Sequence, residues 1–241
     1  MQAWDKIPDG QKDANGAYYA DYTGIMSIGW NADKYGDISS LDDLLDPKFA
    51  GTVALNGKPA EAGAAFNGYL MANQLAGGDI NNLQPGLDYF KKLKEAGNLT
   101  TVDVTNGTID SGQTGVVFDW TYNQASYKKE LKDKGVNWKY KTFPKAQVVS
   151  YYNQAINKDA PHPAAARLWE EYLYTADAQN LWFKGGANPV LLDSMKEDGT
   201  VDQATLKDAI TIEGEPVSYT NDDSTRITEW LQNNWDKTIG N

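Results

Sequence analysis

The chain contains no cysteine, a single histidine and no long apolar run, and each absence removes a class of function. Without cysteine there are no disulfides, no thiolate metal sites and no cysteine nucleophile. No apolar stretch approaches the roughly 20 residues that a membrane-spanning helix needs. His162 lies between Pro161 and Pro163, where a helix N-cap belongs, so we interpret it as structural. Because no Ser-His-Asp set, phosphate-binding loop or metal-ligand cluster is visible, we expect neither a resident metal nor a cofactor.

Positive charge is also scarce: Lys and Arg number 22 against 33 Asp and Glu, a net charge of −11. A nucleic-acid phosphate backbone demands a basic surface, so we expect no nucleic-acid partner. The acidic balance is compatible with a cationic ligand, although simple solubility explains it more readily. What the chain has in quantity is 22 Gly and 8 Trp, a combination of turns and aromatic rings that often builds binding clefts.

The order of the predicted elements indicates an α/β fold. A chain of 241 residues suits one large domain or two modest ones. Short apolar strands alternate with helices of about 10–15 residues, which predicts a parallel or mixed sheet flanked by helices. We predict strands over residues 17–31, 52–55, 101–104, 115–120, 138–143 and 148–156, and helices over residues 39–49, 61–76, 85–96, 122–134, 202–209 and 222–235. In such folds ligands bind beyond the carboxyl ends of the strands.

The first candidate binding segment is the loop over residues 56–63, between a strand and a helix. Its candidate ligand residues are Asn56, Pro59, Glu61 and Gly63. A helix N-terminus offers free N–H groups and a partial positive charge, which suit a carboxylate, phosphonate or phosphate. The alternative is an ordinary turn in which Glu61 satisfies the helix dipole by itself.

The second candidate is Asp119, with Trp120 and Tyr122, at the end of the most apolar strand. An aspartate there is costly to bury unpaired, so we expect it to face a cleft. A carboxylate beside aromatic faces grips an ammonium group by charge pairing and cation–π attraction. The alternative is that Asp119 caps the following helix and Trp120 packs in the core.

The third candidate is the strand carrying Tyr151, Tyr152 and Asn153. Alternation along a strand sends Tyr151 and Asn153 to one side and Tyr152 to the other, so we expect one tyrosine in the core. Paired tyrosines also bind ferric iron as phenolates, but no acidic or histidine ligand neighbours them, and we assign no metal. Tyr22 is a fourth, weaker candidate.

The segment over residues 149–190 carries the most specific pattern. Its pattern predicts a strand, a turn containing proline, an amphipathic helix and a second short helix that ends at Gly-Gly. The predicted helix presents one apolar face at helical spacing, formed by Ala165, Leu168, Trp169, Tyr172 and Leu173.

The sequence of this segment resembles that of the extracellular solute-binding proteins of family 1. The resemblance lies in APHPAAARLWEEYLY, followed by AQNLW and GGANPV. SLDDLLDPKFAGTVALNG, EAGAAF, GLDYFKKLKEAGN and TIDSGQTGVVFDW are similar to the same family. The resemblance implies a periplasmic-binding-protein-like type 2 fold, in which two α/β lobes joined by crossover strands close on a ligand. It also implies no catalytic activity, because a membrane permease and an ATPase perform the transport.

By this resemblance the protein captures a small polar solute, polyamine- or aminophosphonate-like, in an interlobe cleft of a bacterial ABC importer. Its place would be extracellular or periplasmic, as a cell-surface lipoprotein in a full-length form, and its partner the ABC permease. Other readings stay open: a ferric-iron binder, a hydrolase or transferase using acidic residues, or an interaction module that docks through exposed aromatics.

The resemblance also implies a division of the chain. We predict a first-lobe remnant over residues 1–31, a second lobe over 32–148, return crossover and first-lobe helices over 149–190, and second-lobe helices over 191–241. Most of the first lobe and the signal would then be absent from this chain. The face around Leu168 and Trp169 would be exposed unless another chain covers it, so we expect a domain swap or homodimer.

Overall fold

The computed structural model of the protein describes residues 1–240 and has α/β architecture. Its strands are β1 (Tyr19–Asn31), β2 (Val53–Leu55), β3 (Leu99–Thr100), β4 (Val116–Trp120), β5 (Trp138–Lys141), β6 (Val149–Gln154) and β7 (Asn188–Pro189). Its helices are α1 (Ala32–Tyr35), α2 (Gly63–Leu75), α3 (Gln84–Glu95), α4 (Asn106–Asp110), α5 (Thr121–Leu131), α6 (Pro163–Leu173), α7 (Ala176–Lys184), α8 (Leu192–Glu197), α9 (Gln203–Asp208) and α10 (Asn221–Thr238).

Two predicted elements differ from the structure. The predicted helix over residues 39–49 is instead two short 3-10 turns, Asp42–Leu45 and Pro47–Phe49. Local side chains divide it, because Asp43 accepts the backbone N–H groups of Ser39 and Ser40 and thereby folds the chain into a turn. The strand predicted over residues 101–104 is also wrong, since pairing stops at the end of β3.

The chain divides into two compact units. The first unit comprises Met1–Ile25 and Ser150–Thr211, and the second comprises Met26–Val149 and Ile212–Asn241. Residues 191–211 therefore pack in the first unit. The sequence analysis had instead assigned them to the second lobe. The reason is apolar packing: Leu191, Leu192, Met195 and Val201 belong to the hydrophobic core of the first unit.

The second unit holds a mixed sheet with strand order β3-β2-β4-β1-β5. Strand β2 runs parallel to both β3 and β4, with Leu55 opposite Phe118. Strand β1 runs antiparallel to β4 and β5. The parallel pairs β3-β2-β4 therefore end at one shared edge, and the loops that follow β2 and β4 emerge there together.

Helices α2, α3 and α10 pack around a shared aromatic core in the second unit. Phe90 contacts the rings of Tyr69, Phe118 and Trp235, with centroids 5.3–5.9 Å apart. Close approach of α2 to the sheet depends on Gly68, because a Cβ there would lie 2.9 Å from Leu55 Cδ2. Aromatic pairs of this kind add to the free energy gained from burial alone.

Helix termini are set by side chains of the expected kinds. Thr220 accepts the backbone N–H of Asp223 while Asp223 accepts that of Thr220, a reciprocal capping box that begins α10. Thr175 accepts the N–H of Ala178 at the start of α7. These contacts satisfy N–H groups that a helix cannot satisfy within itself.

A glycine in β1 makes room for a buried glutamine of α5. The side chain of Gln124 donates to Val117 O at 3.0 Å and accepts from Trp138 Nε1 at 2.8 Å. It passes directly over Gly29, where a Cβ would lie 2.8 Å from Trp138 Nε1. Gly29 is therefore required by packing and not by backbone conformation.

The first unit has its own core and pairs β7 with the first half of β1, placing Tyr22 opposite Pro189. Its buried residues include Leu173, Tyr174, Phe183 and Met195. A buried hydrogen bond from the Tyr19 hydroxyl to Glu170 joins β1 to α6. Burial and this carboxylate raise the pKa of Tyr19.

The apolar face predicted for α6 is largely exposed. Leu168 is 73% exposed and Trp169 is 58% exposed, and Ala165 and Tyr172 are exposed beside them. Only Leu173 from this face enters the core. We call Ala165, Leu168, Trp169 and Tyr172 the α6 apolar face. Among residues 1–240, no helix is both long and apolar enough to cross a bilayer.

We predict that Gly29→Ala destabilises the protein by about 1–3 kcal/mol, because the new methyl displaces the Gln124 side chain from two buried hydrogen bonds. Urea unfolding measures the change. Gly10→Ala is the matched control, since a Cβ at Gly10 meets nothing within 4 Å. Equal stability of the two variants would contradict this account of the packing.

Candidate functional site

The candidate site of the second unit lies at the carboxyl edge of its parallel strands. Asn56 directly follows β2, and its backbone N–H donates to Phe118 O at 3.4 Å. Its side-chain Nδ2 donates to Asp119 Oδ2 at 2.8 Å. The loop over residues 56–63 and the segment beginning at Asp119 therefore meet at one edge, although 63 residues separate Asn56 from Asp119.

Asp119 occupies the centre of this edge and is 0% exposed. Besides the amide of Asn56, its carboxylate accepts Asn123 Nδ2 at 2.9 Å, Tyr127 Oη at 2.9 Å and Trp120 N at 2.8 Å. Four donors occupy both carboxylate oxygens. Burial raises the pKa of Asp119, and the donors, led by Asn123, oppose that rise.

The position of Asp119 differs from both sequence interpretations. We expected its carboxylate to face a cleft, but it lies inside the unit because neighbouring side chains supply the partners that make burial tolerable. It does not cap α5 either, since the N-cap residue is Trp120 and no side chain caps that helix. Asp119 therefore organises the edge from within.

The aromatic residues that follow Asp119 are placed unequally. Trp120 is buried in the main core of the second unit, as the alternative interpretation held. Tyr122 is half-buried and stacks on Trp120 with an interplanar angle of 16° and centroids 6.3 Å apart. Of the two rings, that of Tyr122 is the one with a surface on solvent.

The loop over residues 56–63 ends in an uncapped helix. Pro59 is buried, whereas Glu61 and Gly63 are exposed. Helix α2 begins at Gly63, and no side chain, Glu61 included, caps it. The N–H groups of its first turn therefore have no side-chain acceptor among the described residues. A cavity of about 560 Å³ adjoins this loop, and its lining includes both Lys58 and Glu61.

The candidates of the first unit form an aromatic stack. Tyr22 lies between Tyr152 and Trp182, with centroids 4.9 Å and 4.4 Å away and interplanar angles of 22° and 25°. Tyr151 is half-buried against the core, while Asn153 is exposed. Burial, with Tyr152 and Asp21 nearby, raises the pKa of Tyr22.

Sequence reasoning missed two members of this first-unit group, Trp182 and Asp21, and one contact of a third, Tyr152. Tyr152 was assigned to the side opposite Tyr151, but its ring contact with Tyr22 was not foreseen. Trp182 lies in α7, far along the chain. Asp21 is buried and accepts Gln154 Nε2 and Gln179 Nε2, each at 2.9 Å. An aspartate within the apolar pattern of β1 was the available signal.

No cluster of three or more His, Asp or Glu side chains suited to a metal ion occurs within residues 1–240. The Tyr22–Tyr152 pair lies face to face, so its rings are used for stacking. The groups described at the two candidate sites are amide groups, ring faces and helix N–H groups, which suit non-covalent binding.

Comparison with known proteins identifies the family. The family model for bacterial extracellular solute-binding proteins matches residues 1–209. The chain belongs to this family. Its members are extracellular or periplasmic, bind small molecules and work with membrane permeases, and they are not a class of enzymes. Among curated protein sequences, no relative matches the chain.

Solved structures share the fold at low sequence identity. A putative extracellular solute-binding protein from Bordetella parapertussis has a TM-score of 0.74 and 14% identity, over 99% of this chain and 73% of that one. AfuA from Actinobacillus pleuropneumoniae, with fructose-6-phosphate bound, has a TM-score of 0.68 and 20% identity, over 98% and 73%. A putative spermidine/putrescine ABC transporter from Listeria monocytogenes has a TM-score of 0.64 and 13% identity, over 97% and 74%. The predicted periplasmic-binding-protein fold is confirmed.

We predict that Asp119→Ala lowers the free energy of unfolding by about 2–4 kcal/mol, because the half-buried residues Asn56, Asn123 and Tyr127 then lose the acceptor of their donor groups. Urea unfolding at neutral pH is the measurement. Asp133→Ala, at an exposed position of the same unit, should change it by less than about 0.5 kcal/mol. Similar losses in the two variants would show that the Asp119 network is not stabilising.

Proposed function

We propose that this protein is the substrate-binding component of a bacterial ABC importer, which captures a small polar solute non-covalently outside the cytoplasm and presents it to a membrane permease. Family membership supports the class. The single observation that supports the site is the Asn56–Asp119 hydrogen bond, which joins the loops after β2 and β4 at the carboxyl edge of the sheet.

The residues that we propose for binding fall into two groups. In the second unit they are the edge residues Asn56, Pro59, Glu61, Gly63, Asp119, Trp120 and Tyr122, of which Asp119, Trp120 and Pro59 act from buried positions. In the first unit they are Tyr22, Tyr151 and Asn153. Exposed amides and ring faces suit a polar solute with both apolar and hydrogen-bonding surfaces.

We propose an amine-bearing solute, polyamine- or aminophosphonate-like. The net charge of −11 favours a cation over long range. The uncapped start of α2 would hold an anionic end of the same molecule. Since solved relatives include both a fructose-6-phosphate complex and a putative spermidine/putrescine transporter, the fold itself does not choose between solutes.

A thermal-shift screen tests the binding function. Spermidine, putrescine, 2-aminoethylphosphonate, fructose 6-phosphate and ferric citrate are added separately, and we expect one of the amines to raise the melting temperature. A ligand at 100 times its Kd stabilises by about 2.7 kcal/mol. Asp119→Ala should weaken that ligand by about 2 kcal/mol or more. No shift with any solute, checked by calorimetric titration, would contradict the proposal.

We further propose that the α6 apolar face is covered by a second copy of the chain, as a homodimer or domain swap. Exposed contiguous apolar surface of this kind marks interfaces more often than free surface. Sedimentation should show concentration-dependent association, and Trp169→Glu should reduce it. Lys158→Glu, a charge change at an exposed position of the same unit, is the control. A monodisperse monomer at high concentration would count against self-association.

A further inference from the structure

The orientation of two side-chain amides at the candidate site is fixed by Asp119. An ionised carboxylate only accepts hydrogen bonds, so any amide that faces it must present its NH₂ group. Asn56 and Asn123 both do so, at 2.8 Å and 2.9 Å, one on each carboxylate oxygen. The acceptor therefore determines the orientation of both amides.

The consequence is that both amide oxygens point away from the carboxylate. Neither Asn56 Oδ1 nor Asn123 Oδ1 accepts a hydrogen bond from any of residues 1–240. Both residues are half-buried, so these oxygens are not sealed in the core. Two unpaired acceptors, anchored to the same buried group, therefore lie at the carboxyl edge of the sheet.

The Asp119 carboxylate itself has no room for a ligand. Tyr127 and the backbone N–H of Trp120 take the remaining acceptor positions on its two oxygens. A solute group at this edge therefore contacts the amide oxygens of Asn56 and Asn123. It does not contact the Asp119 carboxylate directly. Groups that carry N–H or O–H donors are attracted by this arrangement, whereas a carboxylate or phosphate oxygen is repelled.

We propose that Asp119 is a positioning residue that holds the amide oxygens of Asn56 and Asn123 outward, and that this edge binds the hydrogen-bond-donor end of the solute, an ammonium or a hydroxyl group. This inference rests on the proposed binding function. It assigns to Asn123 a role in binding that the sequence did not indicate, and it replaces direct ion pairing by Asp119 with recognition through two neutral amides.

The orientation is tested without a ligand. NMR spectra of the ¹⁵N-labelled protein should show two side-chain NH₂ groups with slow hydrogen exchange, assigned by their loss in Asn56→Ala and Asn123→Ala. In Asp119→Asn the new amide both donates and accepts, so the fixed orientation is lost and exchange at these two groups becomes faster. Unchanged exchange in folded Asp119→Asn would overturn the positioning role.

The ligand class is tested by calorimetric titration with putrescine, glucitol and succinate, which offer ammonium donors, hydroxyl donors and no donor at neutral pH. We expect binding of a donor probe over succinate, and a loss of about tenfold in each Asn→Ala variant. Asn233→Ala, on the exposed side of α10, should bind as the wild type does. Preference for succinate, or unchanged affinity in both site variants, would overturn the assignment.

Asp119→Asn separates positioning from charge. If Asp119 acts by holding the amides, the variant weakens both glucitol and putrescine when both bind, whereas a purely electrostatic role would weaken putrescine alone and overturn the inference. If only one donor probe binds, that probe identifies the donor as an ammonium or a hydroxyl. Absence of binding by all three probes, with slow amide exchange intact, would overturn the ligand class and would count against the proposed function, while the orientation would stand.

Discussion

The buried carboxylate of Asp119 is the constraint on which the rest of the second unit's edge depends. A charge without exposure is tolerable only where every acceptor position is used, and four donors from β4, α5 and the loop after β2 meet that condition. Satisfying one group therefore ties together segments that are distant in sequence. The hydrogen bonds that stabilise the buried Asp119 carboxylate also determine which atoms of this edge face solvent.

The first unit repeats the arrangement with other residues. Asp21 is fully buried in β1 and receives the amides of Gln154 and Gln179. Burial raises the pKa of Asp21, and the two glutamine amides oppose the rise. In each unit, then, one apolar strand carries a buried aspartate. Side-chain amides, and not a basic residue, donate hydrogen bonds to its carboxyl group and so offset the free-energy cost of its burial.

Hydrophobic pattern and turn residues predicted most of the helices, the strands β2 and β4 and the edge at which they end. They did not predict that Asp119 is buried, because its partner Asn56 lies on a different strand-loop junction and periodicity carries no information on such pairs. Residues 39–49 show the opposite failure: helical spacing of leucines was outweighed by one local carboxylate, Asp43, that stabilises a turn. The stack of Tyr22, Tyr152 and Trp182 joins three elements, so only the tertiary fold reveals it.

The contrast between two tryptophans gives the α6 apolar face an optical signature. Trp138 is 1% exposed within the second unit, whereas Trp169 projects from α6 with more than half of its surface in water. Indole emission moves to shorter wavelength when the ring leaves water, so the red edge of the protein's fluorescence belongs largely to exposed rings such as Trp169. Any surface that covers α6 will therefore reduce the quenching of tryptophan fluorescence by dissolved iodide. This change can be measured without a label and without altering a residue.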